Sequence, residues 1–529
     1  GEASPAGGSY GDFYSAEMRD FSPVVYSAVV PGNPPDVIVR ATSNTDDIVV
    51  RADSQAPGTA DGVWFANSFT EYWVNSPGHV VFASDVTGPG VNGSNDLGLW
   101  MNSRGTNEYI AREGDQAAGV PDGVTFSQFA AQSGFIPRIR MNDSGTVTFT
   151  GQLLGPGINS TNDRGVWIWN SGAQELVARS GTSAPGLGGV FKYFWDPSID
   201  SQGRVLFPAM TTGPSLVPDA YWFGFAESIT PIVLKGQPAP GMAGVVFNAI
   251  NTRPILTDNG EIVFNVILAG SGITNANDYS IWKWSSGVLT KLVQEGEVAP
   301  GLPNTVMGRV WLVSANQAGR IAFVSSLLGP GIISANDSAL WIQSMDGVRM
   351  VAREGSQGPG VVGSFVFREF SLDSLPVVAM NNDDKVALGT LVESVNIRSG
   401  VWGWDPSLGL FPIAPPNARL YADGALMGTV ANSYLFGLDS ESYSSGLADD
   451  GAFAFRTNFQ AQTSVQGIFA GTLPVYCDLN TDSHVNIVDL LLVVSMWGPC
   501  QCGVECVADL NNDLRVNIVD LLIVVGNWG

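Results

Sequence analysis

Along most of the chain, apolar residues come in short runs such as Val80-Val-Phe-Ala and Val205-Leu-Phe, each bounded by Gly, Asn, Asp or Pro. That punctuation predicts short buried strands joined by tight turns. The runs are also repetitive. An Asn/Asp-x-x-Gly-x-x-x-Phe signature recurs about every 60 residues, a spacing that marks repeat architectures. Copies run from Asn75 to Phe82, Asn142 to Phe149, Asp200 to Phe207 and Asn316 to Phe323, with the first position relaxed at Thr257 to Phe264 and Ala448 to Phe455. A seventh copy, Asn381 to Leu388, carries Asp384 in place of the glycine. The glycine supplies the positive φ of a tight hairpin, and Asn or Asp is its usual substitute, so Asp384 keeps the pattern.

Each hairpin is followed by an aromatic strand (Leu99-Trp100, Val166-Trp167, Tyr221-Trp222, Ile281-Trp282, Leu340-Trp341, Val401-Trp402, Ile468-Phe469). In most copies a further segment of the type Tyr109-Ile-Ala-Arg-Glu-Gly114 comes next. With the strand that enters the hairpin, each unit has four strands, which is a propeller blade. The last unit ends near Thr472 without its fourth strand, while an orphan copy of that strand, Ile48 to Asp53, precedes the first unit. The two explain each other if one blade is built from both chain ends. A closed ring is preferred to an open solenoid, because no capping units are evident. The expected fold is mainly β: an arm over residues 1–46, a seven-bladed β-propeller over 47–473 closed by an N-terminal strand, and a small α-helical, paired EF-hand-like module over 474–529. Within the arm, Val24 to Val30 and Val37 to Arg40 have the composition of additional strands.

The repeats resemble the bacterial families of extracellular tandem-repeat proteins named for an Asn-x-x-Gly-x-x-x-Phe motif. The resemblance covers most of residues 47–472 and implies secretion and surface attachment. It implies no agreed activity.

Composition narrows the partners. A formal net charge of −24 argues against nucleic acid, whose phosphates need clustered Lys and Arg. Metal cations, polysaccharides and proteins remain. No apolar run reaches the ~18–20 residues of a membrane helix, so no membrane insertion is expected. The sequence starts at Gly1 with no basic-then-apolar leader, and its four cysteines (Cys477, Cys500, Cys502, Cys506) all lie in the C-terminal region. We expect an exported protein, extracellular or at the cell surface after signal removal, with one disulfide-stapled module. Four cysteines allow three pairings, and spacing does not choose among them. A zinc site would need paired Cys-x-x-Cys knuckles, which are absent.

The strongest chemical signal is a duplicated loop. Asp478, Asn480, Asp482, His484, Asn486 and Asp489 recur as Asp509, Asn511, Asp513, Arg515, Asn517 and Asp520. These are positions 1, 3, 5, 7, 9 and 12 of an EF-hand loop, which surrounds calcium with hard oxygens. Position 7 contributes a backbone carbonyl, so His484 and Arg515 are tolerated there. Two calcium ions are expected. Each loop leads into one apolar helix, Ile487 to Met496 and Ile518 to Val525. Paired single-helix loops with Asp at position 12 resemble type I dockerins, over about residues 477–529. The resemblance implies calcium-dependent folding and docking onto a partner protein, with Ile487, Val488, Ile518 and Val519 at the partner-facing positions. It has two departures. Ser483 and Leu514 replace the usual glycine, and the partner-facing positions are aliphatic where cohesin-binding members are polar. A partner other than an ordinary cohesin, including identical subunits in a fibre or layer, fits these residues. A module that only folds around calcium and packs on its own propeller is the plainer reading.

Enzyme chemistry has few candidates. Only His79 and His484 exist, one beside a repeat hairpin glycine and one in a calcium loop, so histidine triads and multi-histidine metal centres are excluded. A carboxylate pair in the central channel would suit a glycosidase, but no pattern singles one out. Loops from Gly88 to Asp96, Gly155 to Asp163, Gly270 to Asp278 and Gly329 to Asp337 offer oxygens to cations or glycans, although Asx turns account for them more simply. Arg112, Arg179 and Arg353 read as strand-end pairs, and the repeated tryptophans as core. The expectation is a structural protein without catalytic activity. The alternative is a carbohydrate-binding or carbohydrate-active propeller.

Overall fold

The computed structural model describes residues 13–17, 23–29, 36–41, 46–129, 139–211, 218–360, 365–370, 377–393, 396–422, 425–435, 447, 451–460, 462–473, 487–499, 508 and 515–526. The repeats fold into antiparallel sheets arranged as an eight-bladed β-propeller. In chain order the blades span residues 13–51, 64–112, 125–179, 193–234, 245–294, 306–353, 366–414 and 419–472.

In blades 2, 3, 4 and 6 the second strand is buried on both faces, which is why it reads as a continuous apolar run (Val80–Thr87, Val147–Leu154, Val205–Met210, Ile321–Leu328). Its phenylalanine lies parallel to the tryptophan of the third strand. Phe82 and Trp100, Phe149 and Trp167, and Phe207 and Trp222 each have ring centroids 6.2 Å apart. An aromatic from the first strand or just before it, Phe65, Phe126 or Phe191, meets the same indole edge-on at 4.8–5.0 Å. A glycine two residues before several tryptophans makes room for the indole. A Cβ at Gly165 would sit 2.7 Å from the Trp167 ring. The buried indole N–H is satisfied: Trp100 donates to Pro57 O (3.1 Å), Trp167 to Ala118 O (3.0 Å) and Trp402 to Pro359 O (3.1 Å).

The hairpin asparagine has two jobs. In blade 3 the Asn142 carbonyl oxygen accepts from Thr146 N (2.9 Å), closing its own turn, and its amide donates to Asp200 O of blade 4 (2.8 Å). Asn75 likewise holds His79 N (2.8 Å) and Asn142 O (3.0 Å), and Asn316 holds Arg320 N (3.0 Å) and Asn381 O (3.1 Å). Where asparagine is missing, neighbours take over: Ser201 N donates to Asp258 O (3.1 Å) and Asn259 to Gln317 O (2.8 Å). The turn glycines have positive φ, and Asp384 adopts φ 63°, as the repeat requires.

Two expectations about the ring are corrected. Among the described residues there are eight blades, not seven, and none is shared between the chain ends. The supposed closing strand is Asp46–Arg51, the last strand of a complete first blade, where it pairs with Asp36–Ala41 (Val37 opposite Arg51). Val24–Val29, read from the sequence as strand-forming within an arm, is the second strand of that blade. The eighth blade reaches four strands through a hairpin at its start, Arg419–Ala422 with Ala425–Leu435. First and last blades meet through apolar packing, since Val24, Tyr26, Val37 and Val39 share one buried cluster with Leu435, Leu447, Phe453 and Phe455. Among the described residues no helix is long and apolar enough to cross a membrane.

Replacing Asn316 with Ala removes the turn closure and the bridge from its amide to Asn381 O of blade 7. We expect a loss of about 2 kcal/mol in urea unfolding, whereas Asn259→Ala, at an exposed bridge, should cost less than half as much.

Candidate functional site

The entering strands of neighbouring blades touch one another (Trp64–Val74 with Ile139–Met141, and that strand with Ser198–Ile199), which places them around the ring axis. Here the repeat breaks its own pattern. Four residues before the hairpin position, blades 2, 4 and 5 carry Glu71, Asp196 and Arg253, whereas blades 6 and 7 carry Leu312 and Val377. Two residues before it stand Trp73, Arg140, Ser198 and Ile255, against Ala379 in blade 7. Arg140 Nη1 lies 3.2 Å from Glu71 Oε1, and its guanidinium lies 4.4 Å from the Trp73 ring centroid. The Trp73 indole donates to Met141 O (3.2 Å). Beside them opens a cavity of about 80 Å³, lined by Trp73, Arg140, Asp196, Ser198, Thr252, Arg253 and Asp258 among others. Gln317 Nε2 fixes Asp258 at 2.8 Å. Reading the sequence for repeats missed this group, because a repeat is found by what its copies share. The signal was there in the alternation of charge and aliphatic residue at one inner position.

The Gly-to-Asp loops are built for structure. In each, the asparagine oxygen accepts from a backbone N–H three residues earlier and its amide donates five residues earlier, as Asn162 does with Asn159 N (2.8 Å) and Gly157 O (3.0 Å). Arg179 and Arg353 donate to the carbonyls of Asn162 and Asn336, both at 3.0 Å, pinning the loop to the outer strand. Behind the loops sit acid pairs: Glu113 with Asp96, Glu295 with Asp278, and Glu354 with Asp337. Burial first, and then the Asp96 and Asp85 carboxylates, push Glu113 up to about 7 against the opposing Leu97 N–H. Burial raises Glu295 and Glu354 in the same way, with the partner aspartate adding to it.

At the C-terminus two short helices, α1 (Ile487–Ser495) and α2 (Ile518–Gly526), pack together. Asp489 and Asp520 are fully buried at equivalent places in their first turns. Asn517 caps α2 by accepting from Val519 N (2.8 Å), and its own N–H donates to Asp520 (2.8 Å). Arg515 is exposed, in a two-residue strand opposite Pro499. Ile487, Val488, Ile518 and Val519 all lie on the surface, 43–54% exposed, and Leu491 and Leu522 extend the same apolar faces. Asp478, Asn480, Asp482, His484, Asn486, Asp509, Asn511, Asp513 and the four cysteines lie outside the described residues.

A family model described as "Family of unknown function (DUF7453)" matches residues 1–171 and again 131–357. No curated protein matches the sequence. Among solved structures, the chain is similar to the β-propeller domain of the Trilobed protease from Pyrococcus furiosus (10% identity, TM-score 0.38, 79% of this chain and 97% of that one). A puromycin-hydrolyzing peptidase of Mycobacterium tuberculosis matches at 10% identity and TM-score 0.36, over 85% of this chain and 59% of the peptidase. A polysaccharide lyase, the PL25 ulvan lyase, matches at 9% identity and TM-score 0.32, over 74% and 89% of the two chains. At such identities the likeness is one of fold alone. The expectation of a chain without catalytic activity is withdrawn, since these structural neighbours are peptidases and a lyase.

The raised Glu113 carboxyl yields a pH prediction. Its proton is held in the folded state up to about 7 but is lost near 4.3 in the unfolded chain. The unfolded state therefore binds fewer protons between those values, and stability falls as pH rises through that window. Glu113→Gln should raise the melting temperature at pH 8 and leave it nearly unchanged at pH 4, as differential scanning fluorimetry at the two pH values would show.

Proposed function

Because the chain belongs to the DUF7453 family of unknown function, we propose a role from its own residues: an exported propeller fastened to a protein partner by a calcium-dependent, dockerin-like C-terminal module. One observation carries this reading. Asp489 and Asp520, the twelfth residues of two matching loops, are both fully buried at the heads of two helices whose outer faces stay apolar and exposed. A buried carboxylate requires a cation or several hydrogen bonds, and an exposed aliphatic face on so small a module calls for a protein to cover it.

Two calcium ions would be held by Asp478, Asn480, Asp482, Asn486 and Asp489, and by Asp509, Asn511, Asp513, Asn517 and Asp520, with the carbonyls of His484 and Arg515 completing each set. Calcium supplies the charge that lets so many carboxylates converge. Docking falls to Ile487, Val488, Ile518 and Val519. The partner is a surface or matrix protein or an identical subunit. Crowding of the cysteines into the tail supports an extracellular setting, where disulfides persist.

Calorimetric titration of the full chain should find two calcium ions bound, with both lost in the Asp489→Ala/Asp520→Ala double variant while the propeller melts unchanged. Light scattering in calcium and then in chelator separates the partners: assemblies that dissolve in chelator mean identical subunits, and a monomer throughout means a different protein. Absence of calcium binding overturns the reading.

A further inference from the structure

We infer that the inner wall formed by blades 2–5 binds one neutral pyranose ring of a polysaccharide, independently of the docking module. The fold itself does not need charge at these inner positions. Blades 6 and 7 complete the same ring with Leu312, Val377 and Ala379 at inner positions where blades 2, 4 and 5 place Glu71, Asp196 and Arg253 and blade 3 places Arg140. Drawing charges toward a packed axis costs desolvation that aliphatic side chains avoid. Four consecutive blades accept that cost where blades 6 and 7 do not, and there the cavity opens.

The lining selects the ligand. Two guanidinium groups, Arg140 and Arg253, face three carboxylates, Glu71, Asp196 and Asp258, so the wall has no surplus positive charge to attract an anion. The chain as a whole, at −24, repels polyanions. Planar guanidinium and carboxylate groups hold two adjacent oxygens or hydroxyls at once, which matches the vicinal diols of a sugar. Pro197, Pro254 and Leu256 give apolar surface to its C–H faces. The cavity, about 80 Å³, holds on the order of five to eight waters that a ligand would displace.

The test is affinity electrophoresis of the full chain in calcium, through gels containing soluble β-glucan, mannan, xylan or galactan, with polygalacturonate and dextran sulfate as charged counterparts. At least one neutral polysaccharide should retard the protein and the charged ones should not. Asp196→Asn should weaken retardation at least tenfold. Thr252→Trp, a loop change that fills the cavity and leaves every charge in place, should abolish it at an unchanged melting temperature, which covers the case of an Asp196 variant that misfolds. Retardation must survive in the Asp489→Ala/Asp520→Ala chain. No retardation by any neutral polysaccharide, retardation by charged ones alone, persistence in a folded Thr252→Trp variant, or loss with the tail variant would each overturn the assignment.

Discussion

The ring depends on an amide that serves two blades at once. In the hairpin asparagine, the oxygen closes the turn that makes its own blade and the nitrogen binds the backbone of the next, so forming a blade and joining it to its neighbour are one event. Both groups are buried, and a buried amide left half-satisfied costs more than its bonds return. That explains why the residue recurs, and why, where Thr257 stands in its place, Asn259 and Gln317 supply equivalent bridges to blade 6. Within blades 2–7 a tryptophan lies at the centre of the blade, its indole held by a loop carbonyl or a serine hydroxyl as well as by packing.

Closure is of another kind. Many rings are sealed by sharing a blade between the chain ends, but here eight contiguous blades meet through an apolar contact between Tyr26, Val37, Phe453 and Phe455 and their neighbours. A seam of apolar side chains depends on burial, which scales with the area covered. The tail module begins just beyond this blade, after Leu473.

How much the sequence disclosed follows from this physics. The hairpins were legible because asparagine, glycine and phenylalanine each meet a requirement few other residues meet, and Asp384 was read correctly because aspartate tolerates the left-handed turn. The first blade escaped because its hairpin lacks the signature, leaving only its fourth strand recognisable, and that strand was assigned to closure. The Gly-to-Asp loops and their arginines proved to be scaffolding. Of the tail's candidate ligands, Asp489 and Asp520 are buried, while most of the others lie outside the described residues. The axial group of Arg140, Asp196 and Arg253 was not legible, since it consists of departures from the repeat brought together only when the ring forms.

The central claim is a rigid propeller and a tail whose order depends on calcium. Hydrogen–deuterium exchange of the full chain, read peptide by peptide with calcium and with chelator, tests it most directly. The account predicts that chelation deprotects peptides within residues 474–529 while the blade hairpins stay equally protected. Exchange that is unchanged in the tail, or deprotection that spreads through the blades, would contradict it.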